Sequence, residues 1–192
     1  QPCSSAASDV YKRQLHMKYS KFAAMIITST VAMFLMMYLN TYAISHVWFS
    51  ETRTYMALYM GAGMAIIMLA FMLGMYSNKK LNTAIFIIAA LTFALCIYLV
   101  RSQSTISDTA YTKAMIPHHS IAILTSERSN LEDVRVRELA NGIIKAQRKE
   151  IKEMEWLIED INKNGKVTTQ EQAEQRPIPQ FEGKLNKGKE NE

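Results

Sequence analysis

The chain has 192 residues, of which 49% are hydrophobic and 20% charged, and its formal net charge at neutral pH is +5. The hydrophobic residues are concentrated before residue 101, a distribution typical of a membrane protein with a polar appendage. The basic residues are scattered among acidic ones and do not form the aromatic-interleaved basic face that nucleic-acid binding requires. We therefore expect no nucleic-acid partner.

The first residues differ in character from those that follow. The string from Cys3 to Gln14 resembles translated sequencing-adapter sequence at the ends of gene models, whereas Met17 reads as a natural start. We expect residues 1–16 to be a non-native leader and exclude them from the fold prediction.

Three apolar segments follow, over residues 22–44, 55–76 and 81–100, and together they make a membrane region of residues 17–100. Each segment lacks Asp, Glu, Lys and Arg, and each reaches the roughly 20 residues that a helix needs to cross a bilayer core. The pattern predicts three transmembrane helices with membrane lipid as a partner.

The flanking cations predict the orientation of these helices. Lys18 and Lys21 precede the first segment, and Lys79 and Lys80 lie between the second and the third. By the positive-inside rule, the N-terminal side and the second loop are cytoplasmic. Residues from Arg101 onward are then extracytoplasmic, and we expect the protein in a bacterial inner membrane.

Methionines recur at every fourth position of the second apolar segment, namely Met56, Met60, Met64, Met68 and Met72. Thioethers could pass Cu(I) along such a stripe, but methionine is also a common packing residue and no acid, His or Cys accompanies it. Gly61 and Gly63 favour close packing against a neighbouring helix. We favour packing over conduction.

Two amphipathic helices are expected in residues 108–163. Asp108 is positioned to cap the first helix and Asp133 the second, in which apolar residues recur at steps of three and four. Two helices of this size bury too little surface to fold alone, so we expect a homo-oligomer, most simply two hairpins in a four-helix bundle. Residues 164–192 lack periodicity and are predicted to be a disordered tail.

The first of these helices contains the motif Met115-Ile-Pro-His118-His119. The histidines follow Met115 by three and four residues, so all three side chains can face one cavity. Thioether and imidazole groups suit copper better than magnesium, calcium or manganese. Pro117 leaves the histidines near unpaired backbone donors or a helix start, which favours the neutral imidazole that binds metals. A hydrated histidine pair and a methionine in the core are the alternative interpretation.

The two helices resemble the family catalogued as Domain of Unknown Function 305. The matching strings are Tyr111-x-x-x-Met115-Ile-Pro-His118-His119, Arg135-Val-Arg-Glu-Leu-Ala140 and Gln147-x-x-Glu150-Ile-x-x-Met154-x-Trp156. The resemblance implies an all-α, ferritin-like bundle that is extracytoplasmic and associated with copper, and the three-span N-terminus resembles a membrane-anchored subgroup. Many members continue the double histidine with Gln-Gly and carry a methionine six residues after it, where this chain has Ser120, Ile121 and Thr125.

The resemblance also implies a set of site residues. Met115, His118, His119 and Met154 match the copper ligands, and Gln147 and Glu150 match groups that orient a histidine N–H.

The sequence thus predicts a non-enzymatic, membrane-anchored, extracytoplasmic protein that sequesters or relays copper. We expect Cu(I) more than Cu(II), and a copper donor or acceptor protein as partner. A ferritin-like metal-dependent oxidase acting on cuprous ions is one alternative, but its Glu-x-x-His pairs are missing because Met115 and Ile116 occupy those spacings. A metal-free structural or sensory membrane bundle is the other.

Overall fold

The computed structural model describes the backbone of residues 3–186 and the side chains from Tyr19 onward. Within this part the chain is all-helical. The helices are α1 (Cys3–Met36), α2 (Glu51–Phe71), α3 (Lys79–Ser102), α4 (Asp108–Arg128), α5 (Val134–Asn164) and α6 (Gln170–Gln175). Of the leader expected at residues 1–16, the first two residues and all the side chains lie outside the described part, and the backbone from Cys3 belongs to α1.

The described chain forms two compact units that interleave in sequence. The first unit contains the residues up to Met37 and Thr52–Ser104. The second unit contains Tyr38–Glu51 and the residues from Thr105 onward. The chain between α1 and α2, from Tyr38 to Ser50, therefore belongs to the second unit, and we call it the loop segment.

The first unit contains three helices that are long and apolar enough to cross a membrane, over Tyr19–Met36, Glu51–Phe71 and Lys79–Ser102. Their bounds differ from the predicted segments, because the first helix ends at Met36 instead of continuing to residue 44. The chain turns directly afterwards, where the Thr41 hydroxyl donates to the carbonyl of Tyr38 at 2.9 Å. Short polar side chains such as threonine stabilise turns in this way.

Close helix packing holds the first unit together. A Cβ atom added at Gly61 of α2 would lie 2.1 Å from Oγ1 of Thr30 on α1, so any larger residue here would require Thr30 to shift. Met68 and Met72, two members of the methionine stripe, pack against the core of this unit.

The second unit is built on α4 and α5. Ser107 caps α4, one residue before the expected Asp108, and its hydroxyl accepts from the N–H of Ala110 at 3.2 Å. Asp133 caps α5 as predicted and accepts from the N–H of Arg135 at 2.9 Å. Each cap satisfies a backbone donor that has no partner inside its helix.

Isoleucines form the core between α4 and α5. They are Ile116 and Ile123 on α4, with Ile144, Ile151 and Ile158 on α5, and all are at most 3% exposed. In both helices the isoleucines recur every seven residues, which keeps one narrow apolar seam facing the partner helix. Trp48 and Tyr42 from the segment between α1 and α2 pack against the same core.

Residues 165–186, part of the segment that the sequence predicts to be a disordered tail, contact α5 in the structure. After α6, the chain returns along α5: Nε of Arg176 pairs with Oδ2 of Asp160 at 3.0 Å, and Nζ of Lys152 donates to the carbonyl of Glu182 at 3.0 Å. Leu185 packs against the isoleucine core. The tail thus has polar partners on α5 and an apolar contact with the isoleucine core. Residues 187–192 lie outside the described part.

Candidate metal site on helices α4 and α5

His119 is the best-positioned of the predicted ligands. Its Nδ1 lies 2.9 Å from the carbonyl oxygen of Met115, and its Nε2 lies 2.9 Å from Oε2 of Glu150. The imidazole is 14% exposed, whereas the carboxylate is 45% exposed. Both ring nitrogens thus face oxygen acceptors. A carbonyl oxygen can only accept, so Nδ1–H donates to the Met115 carbonyl, and Nε2 faces the carboxyl group of Glu150.

The contacts between α4 and α5 run in opposite directions along the two helices. His119 meets Glu150, and farther along α4 Glu127 meets Arg148, which precedes Glu150 on α5. Met115 lies one turn before His119 and Met154 one turn after Glu150. Each methionine is thus four residues, or about 6 Å along its own helix axis, from a member of the His119–Glu150 contact.

The other predicted site residues differ in burial. Met115 and Met154 are half-buried, and Met154 packs against the isoleucine core. His118 is exposed, and its ring centroid lies 6.0 Å from that of His119. Gln147 is half-buried one turn before Glu150, but in the part of the chain described here it is Glu150 that reaches a histidine. No group of three or more His, Cys, Asp or Glu side chains that could hold a metal occurs among the described residues.

Sequence reasoning missed a contact on the other face of α4. Ser120 is fully buried, and its Oγ accepts from the N–H of Tyr42 at 2.7 Å and lies 2.9 Å from Nδ1 of His46. We call Ser120, Tyr42 and His46 the loop clasp. Burial lowers the pKa of His46. The available signal was Ser120 itself, a small hydroxyl residue that departs from the family pattern directly after the double histidine.

A buried ion pair lies beside the clasp. Arg148 pairs with Glu127 at 2.8 Å, and its guanidinium lies 5.7 Å from the centre of the Tyr42 ring. Asn186 of the tail donates to Glu127 at 2.7 Å and to the Tyr42 hydroxyl at 3.1 Å. These hydrogen bonds give the buried carboxylate two donors, which offsets part of the cost of its desolvation. The network joins α4, α5, the loop segment and the tail.

Comparison with known proteins places this arrangement in a family. A family model described as "Domain of unknown function (DUF305)" matches residues 108–189. "Uncharacterized protein L153" of Acanthamoeba polyphaga mimivirus is 31% identical over 151 residues, which cover 75% of this chain and 97% of that protein. The chain belongs to the DUF305 family. No solved structure matches it.

The extent of the DUF305 match agrees with the packing of the second unit. The match continues beyond α5 through α6 and the packed tail, instead of ending near residue 163. The similarity to the viral protein covers three quarters of the chain and therefore also includes residues that precede α4.

Proposed function

We propose that this DUF305 protein is anchored in a membrane by α1, α2 and α3 and binds Cu(I) outside the cytoplasm, which it sequesters or relays. The proposed ligands are Met115, His118, His119 and Met154. The observation that supports this best is the fixed orientation of His119, whose Nδ1 is held by the Met115 carbonyl. A histidine that donates one N–H to a carbonyl presents its other nitrogen to a metal in a defined direction.

The chemistry of the donor set favours a soft monovalent ion. Two thioethers and neutral imidazole are soft-to-borderline, uncharged ligands, which suit Cu(I). Glu150 lies next to Nε2 of His119, so its carboxylate can balance the positive charge of the ion. Glu150 therefore has a part in the proposed binding step without being one of the soft ligands.

The metal-free alternative is favoured by one observation, the direct contact between His119 and Glu150, which satisfies both groups without an ion. In that case the pair is a structural contact between α4 and α5. The two proposals differ in the expected effect of substituting the methionines. Copper binding requires their thioethers, whereas a structural contact between His119 and Glu150 does not.

The test is a Cu(I) titration of the untagged full-length protein in detergent, against a competing chelator. Met115→Leu and Met154→Leu keep the side-chain volume and cost less than about 1.5 kcal/mol of stability. We expect each of them, and His119→Ala, to weaken copper binding at least roughly tenfold, equivalent to about 1.4 kcal/mol.

Met68→Leu is the matched control, because Met68 packs in the core of the first unit and the same substitution there should leave copper affinity unchanged. Wild-type protein that binds no copper at micromolar concentration would overturn the proposal. So would retention of full affinity in the Met115, Met154 and His119 variants, and the metal-free bundle would then be favoured.

We further propose that two copies associate into a ferritin-like four-helix bundle. The start of α5 exposes Val134, Val136 and Leu139, the last of them 65% exposed. Val136 and Leu139 are three residues apart and share one face of α5, and exposed apolar residues on one helix face commonly mark such an interface.

A further inference from the structure

The second unit contains a cavity that the copper proposal does not use. Its volume is about 600 Å³, and it lies between the loop segment, α5 and the tail. Ile123 and Ile151, which are 1% and 3% exposed, form part of its lining, while Lys152 and Lys184 are exposed. The cavity thus combines an apolar floor with a polar opening.

The charges around this cavity are predominantly positive. Arg148, Lys152 and Lys184 line it, and the one acidic residue in its lining is Glu155. Arg148 is neutralised by its ion pair with Glu127. Nζ of Lys152 donates to the carbonyl of Glu182, which carries no net charge. Among the described residues, neither lysine has an acidic group within 4.0 Å, whereas Lys149, Lys163 and Lys166 do.

Glu155 is the acidic residue that faces these cations in the lining of the cavity. Its burial raises the pKa of its carboxyl group, and the neighbouring Glu159 raises it further, against the effect of Lys152. Both raising effects favour the neutral acid. Lys152 and Lys184 outnumber Glu155 in the lining, so the charge at the opening is positive on balance.

The size of the cavity limits what it can hold. Ligand sites of roughly 300–1,000 Å³ take small organic molecules, and they usually combine apolar walls with a few convergent polar groups. An inorganic ion alone would leave the isoleucine floor uncovered. A purely apolar molecule would leave the two ammonium groups without a partner.

We propose that this cavity binds an organic phosphate ester, with the phosphate between Lys152 and Lys184 and a short apolar part against Ile123 and Ile151. A phosphate group accepts several charge-assisted hydrogen bonds from lysine. The ester can come from a lipid headgroup or from a free metabolite. The loop segment that lines the cavity is covalently continuous with α1 and α2, so the lipid source is included in the test.

The experiment uses the full-length protein in a neutral detergent, titrated with butyl phosphate and followed by calorimetry. We expect saturable binding, and tighter binding than that of inorganic phosphate because the butyl group covers the isoleucines. Lys152→Gln and Lys184→Gln should each weaken binding roughly tenfold, the loss expected for one charge-assisted hydrogen bond. Glu155→Gln should tighten it, because it removes the opposing acid.

Lys163→Gln is the matched control, since Lys163 is on the same helix outside the cavity and the substitution removes the same charge. Binding that does not saturate would overturn the proposal. Equal weakening by Lys163→Gln and Lys152→Gln would do so too, because it would indicate attraction to net charge alone. Equal affinities for butyl phosphate and inorganic phosphate would overturn the assignment to an organic ester.

The source is identified by repeating the titration in nanodiscs made of phosphatidylcholine, with and without phosphatidylglycerol. If the anionic lipid displaces butyl phosphate and Lys152→Gln abolishes the displacement, the site takes a lipid headgroup. Unchanged binding in both nanodiscs supports a free phosphate ester. The methionine and His119 variants described above should leave this binding intact, so failure of the copper proposal and failure of this one are distinguishable.

Discussion

Ser120 directly follows the proposed ligand His119 on α4, and it also holds the loop segment through hydrogen bonds. Its Oγ accepts from the N–H of Tyr42 and can donate to the unprotonated Nδ1 of His46. Ser120 is fully buried, so both groups depend on it for a hydrogen bond. The loop clasp therefore holds a neutral histidine against the helix that carries the proposed copper ligands.

The burial of His46 predicts a pH-dependent stability. Its pKa in the folded protein is lowered from 6.5, so the unfolded chain binds more protons once the pH falls below that value. Stability is then lost progressively as the pH falls from about 6.5 through the lower pKa of the folded state. His46→Gln retains a hydrogen-bonding side chain but cannot titrate.

We expect the thermal midpoint of the wild type to fall more steeply between about pH 7.5 and about pH 5.5 than that of His46→Gln. Differential scanning fluorimetry in detergent would measure both midpoints. Parallel pH profiles in the two proteins would contradict the prediction.

At the scale of elements, the tail depends on one glycine for its close approach to α5. A Cβ atom added at Gly183 would lie 1.8 Å from the carbonyl oxygen of Lys145, a backbone atom that cannot move aside cheaply. Gly183→Ala should therefore detach the tail and increase trypsin cleavage after Lys184. Limited proteolysis followed by mass spectrometry would detect the new fragments.

Gly142→Ala is the control for this substitution, because no atom lies within 4 Å of a Cβ added there on α5. It should leave the tail protected and stabilise the helix by about 0.5–1 kcal/mol, the usual cost of a glycine inside a helix. If the tail is equally protected from trypsin in both variants, the prediction that Gly183→Ala detaches it is wrong.

The elements that could be predicted from sequence are those with a regular signal. Periodic apolar residues and the cap at Asp133 predict α5 well, and long uncharged segments predict the three apolar helices. Hydropathy alone does not distinguish a residue facing lipid from one facing a protein core. Tyr42 was therefore assigned to a membrane span, although it packs against the isoleucines of the second unit.

The candidate site could be predicted from sequence only where it depends on local spacing. The spacing of Met115 and His119 is local and visible in sequence, whereas the contact of His119 with Glu150 depends on the register of two helices. The contacts of the tail were not predictable, because an isolated residue such as Leu185 has no period and its packing depends on a surface that other elements supply.

At the scale of the whole molecule, the distribution of cations predicts the topology. If the three apolar helices cross a membrane, Lys18, Lys21, Lys79 and Lys80 lie on one side of it, while Arg53 on the other side is offset by Glu51. In a bacterial host, alkaline phosphatase fused to the C-terminus should be active, since this enzyme requires an extracytoplasmic location.

The same reporter inserted between Ser77 and Asn78, before α3, should be inactive, while a fluorescent protein at that site should fold. The reverse pattern at the two sites would place the second unit in the cytoplasm. Copper delivery would then have to come from a cytoplasmic donor.

The interleaving of the two units also bears on how the chain folds. Tyr42 is bonded to Asn186, a residue 144 positions later in the sequence. Contacts this distant form slowly, because a long loop must close before they contribute any stability. During synthesis, the loop segment is made before α4, α5 and the tail. Tyr42 and His46 therefore have no partner for their hydrogen bonds until the later elements have been synthesised. The second unit is therefore completed last, and a chain stalled before residue 186 would leave its isoleucine core partly uncovered.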